Sequence, residues 1–333
     1  MTMISFIVIG RNEGWKLKKC LDSVVNCIAH NRLNEYEVIY VDSASTDDSV
    51  KTALSYQGVK LFSITGRYNA AVARNIGAKE SIGDVLFFID GDMEIEAAFL
   101  EKVFSTVEGL KHDFVSGNWV NHNYDNSGRL VSQEHYLMET KSDRYVYTTG
   151  GIFIIRRELW FKVGGMRTKF KRNEDLDLGL RLANIGSFML RKQNVIAVHH
   201  TIPYNDKKRM WSLLFSGSEL YRILLLRENI LNKYAWKHFA RGNYTVFIML
   251  GSILASQYFM NYIYMIVYLS AVLIRICKRG ETSFRLLASR FLYIPTYEAS
   301  LLLGLLLFWP REIEDSMYIL VQRNNDLGIQ TII

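Results

Sequence analysis

Short apolar runs alternate with polar turns along the first hundred residues, and this pattern predicts alternating strands and helices. Residues 5–10, 37–41 and 59–64 are mainly apolar runs, which are typical of strands buried on both faces of a sheet. Residues 15–29 and 69–81 carry apolar or alanine-rich positions at helical spacing. The alternation favours right-handed βαβ units and a mostly parallel sheet, which is an α/β fold.

A fourth predicted strand, residues 84–89, runs directly into Asp90-Gly91-Asp92. The carboxyl end of a parallel strand is where an open α/β sheet binds its ligand. Two neighbouring carboxylates repel each other unless a cation or several hydrogen-bond donors neutralise them. A divalent cation that carries phosphate oxygens meets this demand. A strand that ends in a simple Asp-Gly turn is the alternative, and these residues alone do not separate the two.

Polar side chains also follow the first two predicted strands. Asn12 and Glu13 come after the first strand, and Asp42 ends the second. Because the carboxyl ends of parallel strands share one edge of the sheet, we expect these residues to lie near Asp90 and Asp92. The sequence has neither the Gly-x-Gly-x-x-Gly pattern of dinucleotide-binding proteins nor a P-loop. A bound nucleotide diphosphate would therefore need the paired acids and a metal to neutralise its phosphates.

The second hundred residues add three further features. Residues 117–149 form a polar and aromatic stretch, which is followed by a strand-like run at 151–155. The polar cluster at 173–177 precedes a predicted helix. Residues 194–198 predict a short strand that ends at His199-His200.

Taken in order, these segments resemble the family 2 glycosyltransferases of the membrane-associated bacterial type, which have the GT-A fold. The resemblance covers residues 5–200 and implies a Rossmann-like, mixed and mostly parallel sheet with helices on both faces. Ser43 departs from the pattern, since many members have a second aspartate there for the nucleoside. The matching motifs are Val-Asp-x-x-Ser-x-Asp at 41–47, Ala-Arg-Asn-x-Gly at 73–77, Asp-x-Asp at 90–92, and Gly-Gly with a later Glu-Asp at 164–165 and 174–175.

The resemblance implies a donor site built from the polar strand ends. Asp42 would bind the uracil or ribose of a sugar nucleotide, with Asn12 and Glu13 near the base. Arg74 would neutralise the diphosphate or support Asp42, and Asp90 would reach the ribose. The alternatives are that Asp42 caps the next helix and that Arg74 is a surface charge of its own helix.

The resemblance also implies a metal site. Asp92, assisted by Asp90, would hold Mn²⁺ or Mg²⁺ on the diphosphate, where the ion acts as a Lewis acid for the departing nucleotide. His199 or His200 would add a neutral nitrogen ligand, and we take His199 as the candidate. A histidine that is only hydrogen-bonded at the end of a strand is the alternative.

Asp175 is the general base that the resemblance implies, with Glu174 beside it in the catalytic segment. Such a base deprotonates the acceptor hydroxyl. One base and one metal-stabilised leaving group fit a single displacement, which inverts the anomeric centre. The alternative is that Asp175, like Asp177, only caps the helix that begins there.

The last third of the chain carries long uncharged stretches between basic clusters. Residues 206–241 mix lysine and arginine with large apolar side chains, which predicts amphipathic helices in a membrane interface or packed on the catalytic domain. Residues 242–274 contain no charge and are long enough for one tilted span or a short helical hairpin. A second apolar stretch, 291–310, is interrupted by Pro295 and Glu298. We therefore predict three regions: a GT-A catalytic domain at 1–205, interfacial helices at 206–241, and an apolar helical membrane-associated region at 242–333.

Charge and cysteine content narrow the classes of partner and compartment. A formal net charge of +7 without a dense basic block suits an anionic membrane face or phosphorylated substrates, so no nucleic-acid partner is expected. The basic loop between the apolar stretches favours a re-entrant or interfacial hairpin, which keeps the basic clusters on the cytoplasmic side. Three cysteines without metal-type spacing fit a reducing compartment, and we expect a cytoplasmic catalytic domain.

The sequence thus predicts a membrane-attached, metal-dependent inverting glycosyltransferase. It would move a sugar from a nucleotide-sugar, with a UDP-sugar preferred, to a hydroxyl of a lipid-linked or polysaccharide acceptor. The stretch 117–149 would help to shape the acceptor site, because aromatic faces pack on sugar rings. The alternatives are a nucleotidyltransferase on a similar sheet and a membrane-tethered sugar-nucleotide-binding module that has lost its chemistry.

Overall fold

The computed structural model describes residues 2–105, 107–125, 127–136, 139–148, 150–203, 207–278, 284–314, 316–323 and 329–332. Its contacts divide the chain into two compact units, one formed by Met1–Pro203 with Arg311–Ile333 and the other by Tyr204–Pro310. The predicted domain boundary at residues 205–206 and part of the predicted basic loop, 279–283, lie outside the described residues.

The first unit begins with the predicted alternation, and the six predicted elements of the first ninety residues are confirmed. β1 pairs in parallel with β2 and β4, and β2 pairs in parallel with β3, so the carboxyl ends of four strands meet at one edge of the sheet. With a short additional helix, α2, the elements are β1 (Ile4–Gly10), α1 (Trp15–His30), β2 (Tyr36–Asp42), α2 (Ser49–Leu54), β3 (Val59–Ile64), α3 (Ala70–Glu80) and β4 (Val85–Asp90).

The second half of this unit extends the sheet on the other side of β4. The predicted strand at 151–155 is β11, the predicted helix after 173 is α6, and the predicted strand at 194–198 is the end of a longer strand, β12. The elements are β5 (Met93–Ile95), α4 (Ala97–Val103), β6 (Phe104–Ser105), β7 (Gly109–Leu110), β8 (Phe114–Tyr124), β9 (Leu130–His135), β10 (Arg144–Val146), β11 (Phe153–Arg156), α5 (Arg157–Lys162), α6 (Glu174–Asn184) and β12 (Met189–Thr201).

This added part makes the sheet mixed rather than purely parallel. β11 pairs antiparallel with β4 and β8, while β12 pairs in parallel with β8. β10 and β5 pair antiparallel with β12, and β9 with β8. The end of β12 therefore lies close to the Asp-x-Asp motif, and the backbone N–H of His200 donates to Asp92 O at 2.9 Å.

Apolar residues on both faces of the strands explain why helices cover the sheet on both sides. Phe6 and Val8 of β1 face the core layer shared with α1, while Ile7 and Ile9 face the layer shared with α3. Helix α3 packs especially close, because a Cβ at Gly77 would lie only 2.3 Å from Ile7 Cγ2. Gly77 is the last residue of the Ala-Arg-Asn-x-Gly motif, so the motif sets the distance between α3 and β1.

The second unit consists of helices joined by turns in its described residues. The uncharged stretch 242–274 is divided between two helices, since one ends at Tyr258 and the next begins at Tyr264. Within the described chain, the last helix of this unit alone is long and apolar enough to cross a membrane. The elements are α7 (Lys207–Phe215), a 3₁₀ turn (Ser218–Leu220), α8 (Tyr221–Glu228), α9 (Lys233–Tyr258), α10 (Tyr264–Cys277) and α11 (Phe284–Leu307).

A buried carboxylate ties the three long helices of this unit together. Glu298 of α11 is fully buried and accepts hydrogen bonds from Arg275 Nη1 at 2.8 Å and from the Tyr268 hydroxyl at 2.9 Å. The hydroxyl of Thr245 in α9 donates to the same carboxylate. These donors satisfy the buried carboxylate, so α11 continues through Glu298, and the helix also contains Pro295.

The last described segment of the chain returns to the sheet of the first unit. β13 (Tyr318–Arg323) pairs antiparallel with β3 and with β14 (Ile329–Ile332). The predicted helical region at 242–333 therefore extends too far, since its end is strand. The run Tyr318-Ile319-Leu320-Val321 is as apolar as the helices before it, and its strand conformation comes from the edge of β3 that it covers.

Candidate active site

A cleft at the carboxyl ends of β1 and β4 gathers most of the predicted site residues. Its volume is about 310 Å³. Four carboxylates meet in it, so the site favours cations. The charged lining residues are Arg11, Glu13, Arg74, Asp90, Asp92 and Glu174, and the others are Ile9, Gly10, Ser43, Tyr68, Asn69 and Ala70.

Arg74 connects two of these carboxylates. Its side chain is only 2% exposed, and Nη2 donates to Asp90 Oδ1 at 2.6 Å while Nη1 donates to Glu174 Oε1 at 3.1 Å. Burial opposes the charge, but Asp90 and Glu174 outweigh it and raise the pKa of Arg74. Arg74 is therefore not a surface charge of α3: it joins the end of β4 to the start of α6.

Gly151 leaves room for this ion pair. A Cβ at this position would lie 2.1 Å from Asp90 Oδ2 and 3.4 Å from Arg74 Nη2. Its carbonyl oxygen accepts a hydrogen bond from Arg74 Nη2 at 3.4 Å. The absence of a side chain at Gly151 thus allows the Asp90 carboxylate to keep its position in the cleft.

The two acids of the Asp-x-Asp motif have different electrostatic surroundings. Burial raises the pKa of Asp90, and the nearby charge of Arg74 does not fully offset it. Burial acts in the same direction on Asp92, but the hydrogen bond and charge of His199 outweigh it and lower the pKa. Asp92 is therefore the stronger acid of the pair.

His199 of β12 lies against Asp92. His199 Nε2 is 3.2 Å from Asp92 Oδ2, and His199 Nδ1 is 3.1 Å from Asn121 Oδ1. When Nδ1–H donates to the amide oxygen of Asn121, the lone pair of Nε2 points at the carboxylate. Two acceptors that face each other need a proton or a cation between them.

A divalent cation fits this pair of side chains. Carboxylate and imidazole are suitable ligands, and an outer partner such as Asn121 is the usual way in which a ligating histidine is oriented. No group of three His, Cys, Asp or Glu side chains in the described residues is arranged to hold a metal. Asp92 and His199 would therefore hold the ion together with phosphate oxygens and water.

His200 faces away from this position. Its Nδ1 is 3.0 Å from the Tyr124 hydroxyl, its Nε2 is 3.0 Å from Glu94 Oε2, and its ring lies 5.3 Å from that of Trp15. Successive residues of a strand point to opposite faces of a sheet. Of the two candidate histidines, His199 is thus the one beside Asp92.

The first loop places one of its two predicted residues in the cleft. Glu13 lines it, and burial followed by the negative charge of Asp92 raises the pKa of Glu13 to about 7. Asn12, with φ of +57°, instead joins two loops: its backbone N–H donates to Ser45 Oγ at 2.9 Å, and its Oδ1 accepts from Thr46 N–H at 2.7 Å. Asn12 thus shapes the loops that surround the cleft.

Asp42 lies beneath the cleft rather than in its lining. It is 1% exposed, and its carboxylate accepts hydrogen bonds from Ser45 N–H at 2.9 Å and from the Tyr40 hydroxyl at 3.2 Å. Asp42 does not cap α2, since the backbone at the start of that helix donates to Asp47. Its neighbour Ser43 lines the cleft instead.

Helix α6 begins with three acids that have different surroundings. Asp177 is fully buried and accepts hydrogen bonds from Arg181 Nε at 2.8 Å and Arg167 Nη1 at 3.2 Å. Burial and the charge of Asp175 raise the pKa of Glu174, which contacts the buried arginine of α3. Asp175 is partly exposed, and its Oδ1 accepts from the next backbone N–H at 2.7 Å. Asp177 is thus a structural acid, whereas Asp175 is partly exposed and is not one of the residues that line the cleft.

The Ala-Arg-Asn-x-Gly motif also holds the loop before α6, a contact that no sequence pattern indicated. Asn75 Nδ2 donates to Met166 O at 2.7 Å, and Asn75 Oδ1 accepts from Met166 N–H at 2.9 Å. Asn69 Nδ2 donates to Thr168 O at 2.6 Å. Gly165 has φ of +63°, and a Cβ there would lie 2.7 Å from Asn75 Oδ1. The Gly-Gly motif and the asparagine therefore fit each other directly.

Three further residues of the site were not identified from the sequence. The guanidinium of Arg11 lies 4.8 Å from the centre of the Tyr68 ring, and both line the cleft. Asn121 orients His199. Arg11 directly follows β1, so its position at a strand end could have marked it as a site residue. Tyr68 belongs to no motif, and Asn121 belongs only to a generally polar stretch.

The mixed sheet has the architecture of the GT-A class. An acid pair lies at the end of β4, and a histidine faces it. The chain belongs to glycosyl transferase family 2, whose sequence pattern matches residues 5–177. Glycosyltransferase AglE of Haloferax volcanii is 27% identical over 217 residues, which are 62% of this chain and 69% of that protein. An uncharacterised glycosyltransferase of Haemophilus influenzae is 29% identical over 201 residues, which are 58% of this chain and 66% of that protein.

A solved structure shows the same fold. The mannosyltransferase PcManGT from Pyrobaculum calidifontis, in complex with GDP-Man and Mn²⁺, has a TM-score of 0.57 and 14% identity. The similarity covers 90% of this chain and 87% of that protein. The predicted family and GT-A fold are therefore confirmed.

Proposed function

We propose that the chain transfers a sugar from a nucleotide-sugar to a hydroxyl of a lipid-linked or polysaccharide acceptor, with inversion at the anomeric carbon. The contact between Asp92 and His199 carries the proposal, because Asp92 lines the same cleft as Arg74 and Glu174. A cleft with four carboxylates repels a diphosphate, whereas a cation held by Asp92 and His199 attracts one.

The nucleoside would lie between the loops that follow β1 and β2. Glu13 and Ser43 line that side of the cleft, and Asn12 with Asp42 holds the two loops in place. Tyr68 offers an aromatic face for the base, with Arg11 above it. A UDP-sugar is the preferred donor, and GDP- and dTDP-sugars are the alternatives.

Mn²⁺ or Mg²⁺ would be held by Asp92 and His199, with Asp90 reaching it through water. When bound, the ion supplies Lewis-acid stabilisation of the departing diphosphate. Asn121 keeps the His199 ring in the ligating orientation, and Arg74 fixes Asp90 beside it.

Asp175 is the proposed general base. Glu174 is paired with Arg74 and Asp177 with two arginines, which leaves the partly exposed Asp175 as the candidate. The acceptor oxygen would give its proton to Asp175 as it attacks the anomeric carbon, while the bond from that carbon to the diphosphate breaks and its electrons leave with the nucleotide. One displacement of this kind inverts the configuration.

We also propose that the second unit attaches the protein to a membrane, with the catalytic unit on the cytoplasmic side. Large apolar side chains are exposed where α9 ends and α10 begins: Tyr258 is 81% exposed, Met260 89% and Tyr262 84%. Such a patch is characteristic of a membrane or protein contact. The helix–turn–helix form of residues 242–274 supports a re-entrant or interfacial hairpin rather than one long span.

The test measures nucleotide release and sugar transfer with a panel of UDP-, GDP- and dTDP-sugars, once in the presence of Mn²⁺ and once in EDTA. We expect metal-dependent release with at least one donor. Asp175→Asn is expected to bind the donor as the wild type does and to lose about 10²-fold or more in transfer rate. Transfer by Asp175→Asn at the wild-type rate would show that another group is the base.

A further inference from the structure

Arg191 of β12 is a buried cation without a counter-ion among the described residues. Its side chain is 1% exposed, and within the described part of the chain none of Nε, Nη1 and Nη2 has a hydrogen-bond partner. The guanidinium lies 5.3 Å from the centre of the Trp119 ring, which offsets only part of the cost of burying a charge. Burial accordingly lowers the pKa of Arg191. By comparison, the equally buried Arg74 contacts two carboxylates.

A second arginine faces Arg191 across a strand pair. Arg144 of β10 is its register partner in an antiparallel ladder, so both side chains leave the same face of the sheet. Like charges directly opposite each other destabilise a sheet, and an anion between them removes the repulsion. The neighbouring carboxylate, Asp143, is engaged by Lys192. Arg144 is exposed and Arg191 is buried, so an anion would reach the pair from the Arg144 side.

Arg191 lies within electrostatic reach of Asp175. The charge of Asp175 acts on both Arg191 and Arg74. Arg191 is not part of the cleft lining. The half-buried ring of Tyr136 lies next to this position, stacked at 4.0 Å on the Trp119 ring beneath Arg191. Arg191 and Tyr136 thus lie outside the donor cleft, and Arg191 is within reach of the charge of Asp175.

We propose that Arg191, together with Arg144, binds a phosphate group of the acceptor. The proposal rests on the proposed function, because it places that phosphate near the hydroxyl that Asp175 deprotonates. Phosphate oxygens accept hydrogen bonds from a planar guanidinium, and the negative charge neutralises the arginine pair. Tyr136 offers an aromatic face to the sugar beside the phosphate. A lipid diphosphate and a phosphodiester polymer both present such a group.

The test is the binding of inorganic phosphate to the full-length chain in detergent and EDTA, measured by calorimetry. Arg191→Met removes the guanidinium at similar side-chain length. Lys162→Met removes an exposed charge from the same unit and serves as the control. We expect equal affinity in the wild type and Lys162→Met, and about tenfold or more weaker binding in Arg191→Met. Unchanged affinity in Arg191→Met would overturn the proposal.

Thermal unfolding separates an anion-binding arginine from a structural one. Without phosphate, an unpaired buried charge destabilises the fold, so Arg191→Met is expected to have a higher Tm than the wild type. Phosphate is expected to raise the Tm of the wild type and not that of Arg191→Met. A lower Tm in Arg191→Met, with no effect of phosphate on either protein, would show a structural cation and contradict the proposal.

Two further titrations distinguish the sources of the phosphate. Tighter binding of geranyl diphosphate than of inorganic phosphate supports a lipid diphosphate, and tighter binding of a glycerol phosphate oligomer supports a polymer. If neither binds more tightly than phosphate alone, the assignment to an acceptor is wrong. Nucleotide release by the wild type is scored separately: its absence with every donor would refute the proposed function and leave the phosphate-binding result standing.

Discussion

Individual side chains determine how each carboxylate of the site is neutralised. Asp90 and Glu174 share Arg74, Asp92 faces His199, and Asp177 is held by two arginines. The acids were identified from the sequence because they stand in motifs at strand and helix ends. The partners of these acids were harder to predict from the sequence, because contacts such as those of Asn121 and Asp177 join residues that only the fold brings together.

The contact between Gly151 and Asp90 predicts a selective loss of donor binding. In Gly151→Ala, the new methyl group would lie 2.1 Å from Asp90 Oδ2, an overlap that displaces the carboxylate. We expect donor affinity to fall about tenfold or more, because one charge-assisted contact is lost. Gly251→Ala is the control, because a Cβ there meets nothing within 4 Å. Donor titration by calorimetry measures both, and equal affinity of Gly151→Ala and wild type would contradict the packing described.

The raised pKa of Glu13 predicts a pH dependence of stability. Glu13 shifts from the ordinary value of 4.5 to about 7 in the folded chain, so folding favours its protonated form. Stability should therefore fall as pH rises from about 4.5 to about 7, because the unfolded chain releases this proton first. Glu13→Gln should weaken this dependence. Tm measured between pH 5 and pH 8 in EDTA tests it, and parallel curves for variant and wild type would show that Glu13 does not contribute.

At the scale of elements, the loop before α6 is held from two directions. Asn75 and Asn69 of the α3 region bind its backbone, and Glu312 binds it from the returning C-terminal segment. Glu312 Oε2 accepts from Thr168 Oγ1 at 2.7 Å and from Lys169 N–H at 2.8 Å. This second contact could not be predicted from the sequence, because Glu312 stands in no motif and is far along the chain from the loop.

Removal of Glu312 should loosen the loop before α6, which leads to the proposed base Asp175. Glu312→Ala removes the carboxylate that accepts hydrogen bonds from Thr168 Oγ1 and Lys169 N–H, which costs about 1–3 kcal/mol of stability. We expect a lower Tm and a lower transfer rate at saturating donor. Glu314→Ala is the control, since this residue is exposed two positions further on. If both variants have the Tm and the transfer rate of the wild type, the C-terminal segment does not position the loop before α6.

The elements of the parallel half of the sheet were predictable, because each is a separate apolar run between polar turns. The C-terminal strand β13 was not predictable. Tyr318–Arg323 continues the composition of the apolar tail, and only the free edge of β3 makes it a strand. The uncharged stretch 242–274 likewise permitted one span or a hairpin, and its uniformly uncharged composition does not indicate the break between Tyr258 and Tyr264.

For the molecule as a whole, the exposed apolar residues of the second unit predict membrane binding. Replacement of Tyr258, Met260 and Tyr262 by serine should weaken binding to anionic vesicles about tenfold or more, since a large apolar side chain contributes about 1.5–3 kcal/mol on burial. Val107→Ser is the control, because Val107 is 86% exposed in the first unit. Vesicle flotation measures the bound fraction, and equal flotation of all three proteins would place the membrane contact elsewhere.

The most direct test of the sugar-nucleotide site is the metal dependence of nucleotide binding. UDP, GDP and dTDP are titrated into the full-length chain in Mn²⁺ and in EDTA, with wild type and Asp92→Asn. We expect at least one nucleotide to bind the wild type in Mn²⁺, and binding to be lost both in EDTA and in Asp92→Asn, because in our proposal Asp92 and His199 hold the cation that neutralises the diphosphate. Binding of the same strength in EDTA or in Asp92→Asn would contradict a metal–diphosphate site at the end of β4.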